Sequence, residues 1–350
     1  MTHKVLIVGA GSIGKRHVAC MLATGRCRVG VCEPHDEARE EVASRYDLVA
    51  VHLDLDTALN EHWDAAVVAV PAPQHIPIAR RLAERGVGIL IEKPLAVDEA
   101  GVEALVKDVD ARRLTAAVAY VYRAHPAAQA VHEALRSRRF GRPLNLVAVS
   151  GQPFAVLRPA YRDIYYAKHE AGGGAIQDGA THVFNLCSWL IGPIERLAVD
   201  ADRLGLDGVE VEDTVHVLAR HRDEREVLAV YAVNHHQAPN ESFLTIHCEW
   251  GSIRLDIKRH RWHYMTEPLG EWHEEAFDIA EHNDWFTRQE HGFLDCLEGK
   301  SPPLCSLREG WHDLRVNRAA LRSASRGGDW QHVDLVAGVQ PTKRLATVLG

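Results

Sequence analysis

Val5-Leu6-Ile7-Val8-Gly9-Ala10-Gly11-Ser12-Ile13-Gly14 decides how this chain begins to fold. Four consecutive apolar residues read as a buried strand, and the glycines after them fit G-x-G-x-x-G as a strand turns into a helix. Gly9 permits the tight turn. Gly11 lets backbone approach a pyrophosphate, and Gly14 lets the helix pack close to the strand. The helix N-terminus, with Ser12 and Ile13 in its first turn, offers unpaired N–H groups and positive dipole to phosphates. A second apolar run, Val29-Gly30-Val31-Cys32, ends in Glu33, 19 residues past Gly14. A carboxylate there accepts hydrogen bonds from both hydroxyls of an adenosine ribose and repels a 2′-phosphate. Pro34 and His35, not Arg or Lys, follow it. The segment predicts binding of NAD(H). The competing reading is an ordinary strand–helix turn with spare glycines.

Composition sets outer bounds. The 350 residues suit two domains, and 46% hydrophobic residues support real cores. Net charge is −8, from 40 basic and 48 acidic residues well mixed, which argues against a nucleic-acid partner. No apolar stretch reaches the ~18 residues that cross a bilayer, so no membrane partner is expected. Met1-Thr2-His3-Lys4 runs straight into the first strand, which predicts no signal peptide. Seven cysteines, odd in number and without C-x-x-C, fit reduced thiols in a cytoplasm. Histidine is abundant, at 22, yet no H-x-x-x-H or H-E-x-x-H occurs. The His- and Trp-rich stretch over 247–282 reads as a half-exposed sheet surface, and no metal is expected.

Strand and helix patterns alternate through the first 120 or so residues. Strands are predicted over 4–9, 28–33, 65–70, 88–92 and 115–121, with helices such as 75–85 and 98–113 between them. Ala65-Ala66-Val67-Val68-Ala69-Val70 is apolar on both faces, as a parallel strand between helix layers should be. This is the βαβ signature of a doubly wound sheet. Later the pattern changes. A helix over 126–140 is followed by a strand over 143–150, a polar aromatic loop over 152–170 and a helix over 175–190. Strands follow over 194–200, 214–220, 227–233, 242–249 and 252–257, as in an antiparallel sheet. Helices over 284–297 and 307–324 complete the pattern.

Three places carry chemistry. Glu92-Lys93-Pro94 closes the strand over 88–92, and ligands of open α/β sheets sit at carboxyl strand ends. Glu92 and Lys93 are therefore placed at the cofactor, with the Lys93 charge able to stabilise an alkoxide. A surface Glu–Lys pair is the plainer alternative. Val70-Pro71-Ala72-Pro73-Gln74-His75 closes the preceding strand, which brings Pro71 and His75 beside the cofactor; His75 instead simply caps its helix in the other reading. Gly172-Gly173-Gly174 precedes a helix on which Asp178 and His182, spaced i and i+4, share one face. A His beside a carboxylate can take a hydroxyl proton, although such a pair also serves simply to stabilise a helix. The loop with Arg158, Tyr161, Arg162 and Tyr165 supplies bidentate donors and flat rings for a sugar bearing a carboxylate or phosphate, or else packs at a subunit interface.

Taken together, these motifs resemble the Gfo/Idh/MocA family of oxidoreductases. The family shows G-x-G-x-x-G, then E-K-P, then G-G-G-x-x-x-D-x-G-x-H, and this chain carries them in that order over roughly residues 3–330. One departure is plain: Ala180 stands at the last motif's glycine, with Gly179 before it. The resemblance implies an N-terminal Rossmann domain over 1–122. It also implies a C-terminal α+β domain with a large, mostly antiparallel open sheet over 123–330, leaving a tail over 331–350. Hydride would pass between NAD and a ring CH–OH of a sugar, sugar derivative or cyclic polyol. Lys93, Asp178 and His182 would form the catalytic group, with the proton carrier among them left open. Tyr122-Arg123-Ala124-His125-Pro126 looks like the segment joining the domains, and it places Arg123 among the substrate contacts. The second sheet would make a homo-dimer or homo-tetramer interface. Two rivals stand beside this reading: a redox-neutral enzyme with tightly held NAD, and a non-catalytic NAD-binding sensor. Retention of Lys93, Asp178 and His182 argues against the sensor.

Overall fold

The computed structural model describes residues 2–279 and 283–339. In chain order the first elements are β1 (His3–Val8), α1 (Ser12–Ala23), β2 (Cys27–Cys32), α2 (Asp36–Arg45), β3 (Ala50–His52), α3 (Leu55–Ala58), β4 (Ala65–Val68), α4 (His75–Glu84), β5 (Gly88–Ile91), α5 (Val102–Arg112) and β6 (Ala116–Val118). Next come α6 (Pro126–Arg136), β7 (Pro143–Gly151), α7 (Phe154–Leu157), a π-helical turn (Ile176–Ala180) and α8 (Thr181–Ile191). Then follow β8 (Ile194–Asp202), β9 (Thr214–Arg222), β10 (Glu226–Asn234), β11 (Glu241–Cys248), β12 (Gly251–Asp256), β13 (Arg261–Met265) and β14 (His273–Ala276). The last elements are α9 (Asp284–Leu297), α10 (Leu307–Ser325) and β15 (Gln331–His332). No helix among the described residues is long and apolar enough to cross a membrane.

Two compact units result, Met1–Ala124 with Ala280–Trp311, and His125–Ile279 with His312–Gly350. In the first, six parallel strands run in the order β3-β2-β1-β4-β5-β6. The order reverses between β1 and β4, the switch point at which such sheets open a ligand crevice. The short strand β3 lacks a continuous apolar run and was not anticipated. The expected boundary at residue 122 describes only the first pass of the chain. Phe293 and Leu294 of α9 lie in one core with Val5, Ile7, Val67 and Leu90, so burial of that helix's apolar face returns it to the first unit.

In the second unit nine strands run β14-β13-β12-β11-β7-β10-β9-β8-β15. Only the β7–β10 pair is parallel. Val215, Val217 and Ala219 of β9, with Val227, Ala229, Tyr231 and Val233 of β10, are buried, while the alternate residues face outward. The His-rich stretch contains the end of β11 and the strands β12, β13 and β14; residues 280–282 lie outside the described residues. Its polar rings weaken the sequence signal, yet Trp262 is buried beside Phe140 and Tyr264.

The tail expected over 331–350 is corrected in part. Gln331 and His332 pair with Leu197 and Arg196 on the edge of β8, and Val333 and Val336 are buried. An edge strand's unpaired backbone groups give such a segment somewhere to dock. Residues 340–350 lie outside the described residues. The polar loop over 152–170 also holds a small core, in which Phe154, Tyr161 and Tyr166 pack with Leu206, Val209 and Val211.

That loop core hangs from one carboxylate. Buried Asp213 accepts from the amides of Leu204 (3.0 Å), Gly205 (2.8 Å) and Leu206 (2.6 Å) and from the Thr214 hydroxyl (2.7 Å). Burial pushes its pKa up, but these four donors outweigh burial and hold it below the ordinary range. Asp213→Ala should cost the second unit about 1–3 kcal/mol, because the buried Leu206 amide and the part-buried amides of Leu204 and Gly205 lose their acceptor. A lowered thermal midpoint, with the wild-type difference shrinking as pH falls through the depressed Asp213 pKa, is the measurable result.

Candidate active site

The first unit builds a cradle at the carboxyl end of β1. Gly9 has φ +98°, and a Cβ there would meet the Ala69 carbonyl oxygen at 2.6 Å. A Cβ on Gly14 would lie 1.9 Å from the Gly9 carbonyl oxygen, so helix and turn are closer than any side chain allows. Gly11 differs: nothing lies within 4 Å of its Cβ position, and it is exposed together with Ser12. No side chain caps α1 and no acidic residue sits in its first turn. An anion can therefore reach the first amides of the helix. Glu33 stands at the end of β2, buried. Its Oε2 accepts from the Ala10 amide at 2.6 Å and its Oε1 from the His35 amide at 2.9 Å. Each carboxylate oxygen has a second lone pair for a ribose hydroxyl. Arg39 is engaged with the carbonyls of Glu33 (3.0 Å) and Pro34 (3.2 Å) and with Asp36. This arrangement fits a dinucleotide with a free 2′-hydroxyl.

Three expected ligand contacts are used otherwise. Glu92 is buried: its Oε1 takes a hydrogen bond from His17 Nε2 at 2.9 Å and its Oε2 from the Lys93 amide at 2.9 Å. Burial raises its pKa, and the His17 partner reverses this to a net lowering. His75 is buried as well, with Nδ1 3.0 Å from the Pro94 carbonyl oxygen and Nε2 2.8 Å from that of Val70. It ties the loop after β4 to the turn after β5, and burial lowers its pKa. Arg123 donates to the Leu304 carbonyl at 2.9 Å and pairs with Glu309 inside the first unit. A buried guanidinium needs such partners, so it serves the fold. Lys93 is half-buried two residues past β5, and Pro71 is exposed three residues past β4.

The second unit brings another set together. Asp178 is buried on the π-helical turn, a distortion frequent at functional sites. Tyr165, 37% exposed, donates its hydroxyl to Asp178 Oδ1 at 2.7 Å. Half-buried His182 opens α8 one turn later. The displaced glycine has a cause: a Cβ on Gly179 would meet His235 Nε2 at 2.7 Å, while His235 Nδ1 lies 2.7 Å from the Tyr166 hydroxyl. Glu212 braces the glycine triplet, accepting from the Ile176 amide at 2.8 Å and pairing with His169, whose pKa it raises. Tyr161 belongs to the loop core, with its hydroxyl on the Asp207 carbonyl at 2.8 Å, and is corrected from substrate contact to scaffold. Arg162 uses its Nε on the same carbonyl at 2.8 Å, and Arg158 lies exposed over the Phe154 ring. His17, Glu212, His235 and Glu290 escaped the sequence reading. Their partners lie far along the chain, and no spacing signals them.

A dinucleotide-binding first unit joined to a sheet-based second unit defines the class, an oxidoreductase of two domains. The family model described as "Oxidoreductase family, NAD-binding Rossmann fold" matches residues 3–120, and the "GFO/IDH/MocA C-terminal domain" model matches residues 128–254. The chain belongs to the Gfo/Idh/MocA family, and its first domain is that family's NAD-binding Rossmann domain. It is 28% identical over 193 residues to inositol 2-dehydrogenase of Rhizobium meliloti, covering 55% of this chain and 56% of that one. The chain spans about half the length of the curated relatives it first matches. In fold it is similar to levoglucosan dehydrogenase in complex with NADH, with TM-score 0.87, 19% identity and coverage of 96% and 100%. It is also similar to the WlbA dehydrogenase of Bordetella pertussis in complex with NADH and UDP-GlcNAcA, with TM-score 0.79, 25% identity and coverage of 96% and 100%.

Fluorescence titration of the full-length protein should give clearly tighter NADH than NADPH binding. Glu33→Ser should narrow that gap, since it removes both the acceptor for the 2′-hydroxyl and the charge that opposes a 2′-phosphate.

Proposed function

We propose that this chain is an NAD-dependent dehydrogenase of a ring CH–OH in a sugar, sugar derivative or cyclic polyol. The observation that carries the reading is the open Gly11–Ser12 turn with the Glu33 carboxylate on its rim. NAD, when bound, supplies the two-electron acceptor. The remaining tasks fall to the chain. Lys93, at a carboxyl strand end, polarises the substrate oxygen and stabilises alkoxide charge. His182 takes or returns the hydroxyl proton at a ring nitrogen, with Asp178 orienting or assisting it. Tyr165 holds Asp178 and lends a ring face to the sugar. Arg158 and Arg162 favour a carboxylate- or phosphate-bearing substrate. The named relatives, dehydrogenases of a cyclic polyol and of sugars, support this substrate class. Seven cysteines, six of them buried and none in a disulfide among the described residues, suit the reducing cytoplasm we assign to the protein.

The test is turnover with NAD⁺ on myo-inositol, levoglucosan and sugar acids. Lys93→Ala should keep NADH affinity and lose about 3 kcal/mol of transition-state stabilisation, roughly 100-fold in rate. His182→Asn should remove the rise of the oxidation rate with pH and lower the rate by about 10² to 10⁴. Near-wild-type turnover in both variants would overturn the assignment of roles.

We further propose that the outer face of the second sheet is covered by a second copy of this chain. Val230 lies opposite Val147 on one side and Leu218 on the other, with Leu228 beside them, and all four are exposed. An apolar strip across three central strands is the kind of patch a homo-oligomer buries. Light scattering should show a dimer or tetramer, and Leu218→Asp with Val230→Asp should reduce the mass toward the monomer.

A further inference from the structure

We infer that His17 is a positioning residue for Lys93: its imidazolium, on α1, holds the Glu92–Lys93 turn in place through two buried carboxylates. The inference rests on the reading of Lys93 as the group that faces the reacting oxygen. Both ring nitrogens of His17 meet carboxylate oxygens, Nε2 at 2.9 Å from Glu92 Oε1 and Nδ1 at 2.6 Å from Glu290 Oε1. Ionised carboxylates only accept, so two such partners need two N–H donors and the ring carries a positive charge. His17 and Glu290 are both 0% exposed, and Glu92 is 6% exposed. Glu290 Oε2 finds no hydrogen-bond partner among the described residues, so the His17 proton is what compensates that carboxylate.

The charged groups around the ring are few. Glu92 faces it from the turn after β5 and Glu290 from α9, Lys93 lies beyond Glu92, and Arg16 and the Cys20 thiol flank it on α1. Burial alone would drive the ring neutral, but Glu290 and Glu92 outweigh it and raise its pKa to about 10. The stability this contributes is complete below pH 6.5, the ring's ordinary value, and is lost as pH rises through about 10.

The clamp reaches Lys93 through one carboxylate. Glu92 Oε2 accepts the Lys93 amide at 2.9 Å while Oε1 is held by His17, so the backbone from which the Lys93 side chain departs is fixed to α1. His75 holds the other flank by the Pro94 carbonyl. Glu290 arrives from 273 positions downstream of His17. Returning α9 to the first unit thus completes the electrostatics of the turn that presents Lys93. Without the imidazolium, two carboxylates would face a neutral ring across buried space, and Glu92 would move, taking Lys93 with it.

The full-length variants His17→Gln, Glu290→Gln and the two together test this. Relative to wild type, the single His17→Gln adds one negative charge to the cluster. The double variant restores the original net charge and permits an amide relay: the Gln at 17 donates to Glu92 and accepts from the Gln at 290. The readouts are the ¹³C signal and titration of Lys93 after reductive ¹³C-methylation, NADH affinity, and turnover with NAD⁺. His17→Gln should shift the Lys93 signal and lower turnover by about 10- to 100-fold. The double variant should recover most of both. An unmoved Lys93 signal in His17→Gln, or equal losses in the single and double variants, overturns the inference. If His17→Gln fails to fold, Glu290→Gln decides: the His17 ring, followed by ¹⁵N NMR, should titrate below about 10 and the Lys93 signal should shift, and an unmoved Lys93 signal again overturns it. Absence of turnover in the wild type on every sugar and polyol tried would count against the dehydrogenase reading, and the NMR readouts would still decide the positioning role.

Discussion

The approach of α1 to the end of β1 is the constraint on which the first unit depends. A Cβ on Gly14 would sit 1.9 Å from the Gly9 carbonyl oxygen, so only hydrogen allows helix and turn to be this close. That closeness aims the uncapped start of α1 at the crevice where the sheet order reverses. It also sets the depth of the helix. His17, three residues after Gly14, then falls between Glu92 and Glu290 rather than in solvent. One packing distance therefore shapes both the phosphate cradle and the charge cluster behind Lys93.

The second unit reaches a comparable precision by other means. Its sheet offers alternating strands with one covered face, which by itself positions nothing chemical. Buried Glu212 and Asp213, adjacent in sequence, do that work from opposite sides of the chain. Glu212 braces the glycine triplet through the Ile176 amide and His169, while Asp213 collects the amides of residues 204–206. Between them the aromatic loop folds onto its own core and presents Tyr165 to Asp178. The π-helical turn carries Asp178 inward, and Gly179 leaves room for the His235 ring. The displaced glycine of the family motif is thus paired with a neighbour that needs the space.

Several side chains that read as ligand contacts turned out to be internal. Glu92, His75, Arg123 and Tyr161 each lie buried with partners of their own: His17, two backbone carbonyls, Glu309 with the Leu304 carbonyl, and the Asp207 carbonyl. The physical reason is shared. A polar group near a site is costly to bury unless it is satisfied, and satisfying it within the protein consumes the donors that a ligand would use. Whether a given Arg or Tyr reaches the ligand or the scaffold depends on which carbonyl or carboxylate the fold brings near it.

The local signals did determine much. The apolar run from Val5 to Val8, the glycine spacing and Glu33 after the second strand define the nucleotide-binding unit, because strand burial, turn sterics and ribose recognition all act within some 30 residues. The run of short strand patterns from residue 194 onward likewise marked an antiparallel sheet. Short β3 lacked a pattern strong enough to read, and the stretch over 247–282 read as a sheet surface without showing where β13 and β14 begin and end. Only the tertiary structure decided that α9 returns to the first unit, that Gln331 and His332 dock on β8, and that His17 lies between two carboxylates. Those outcomes depend on which distant surfaces can bury an apolar face, pair an open strand edge or neutralise a charge, and sequence separation carries no record of that.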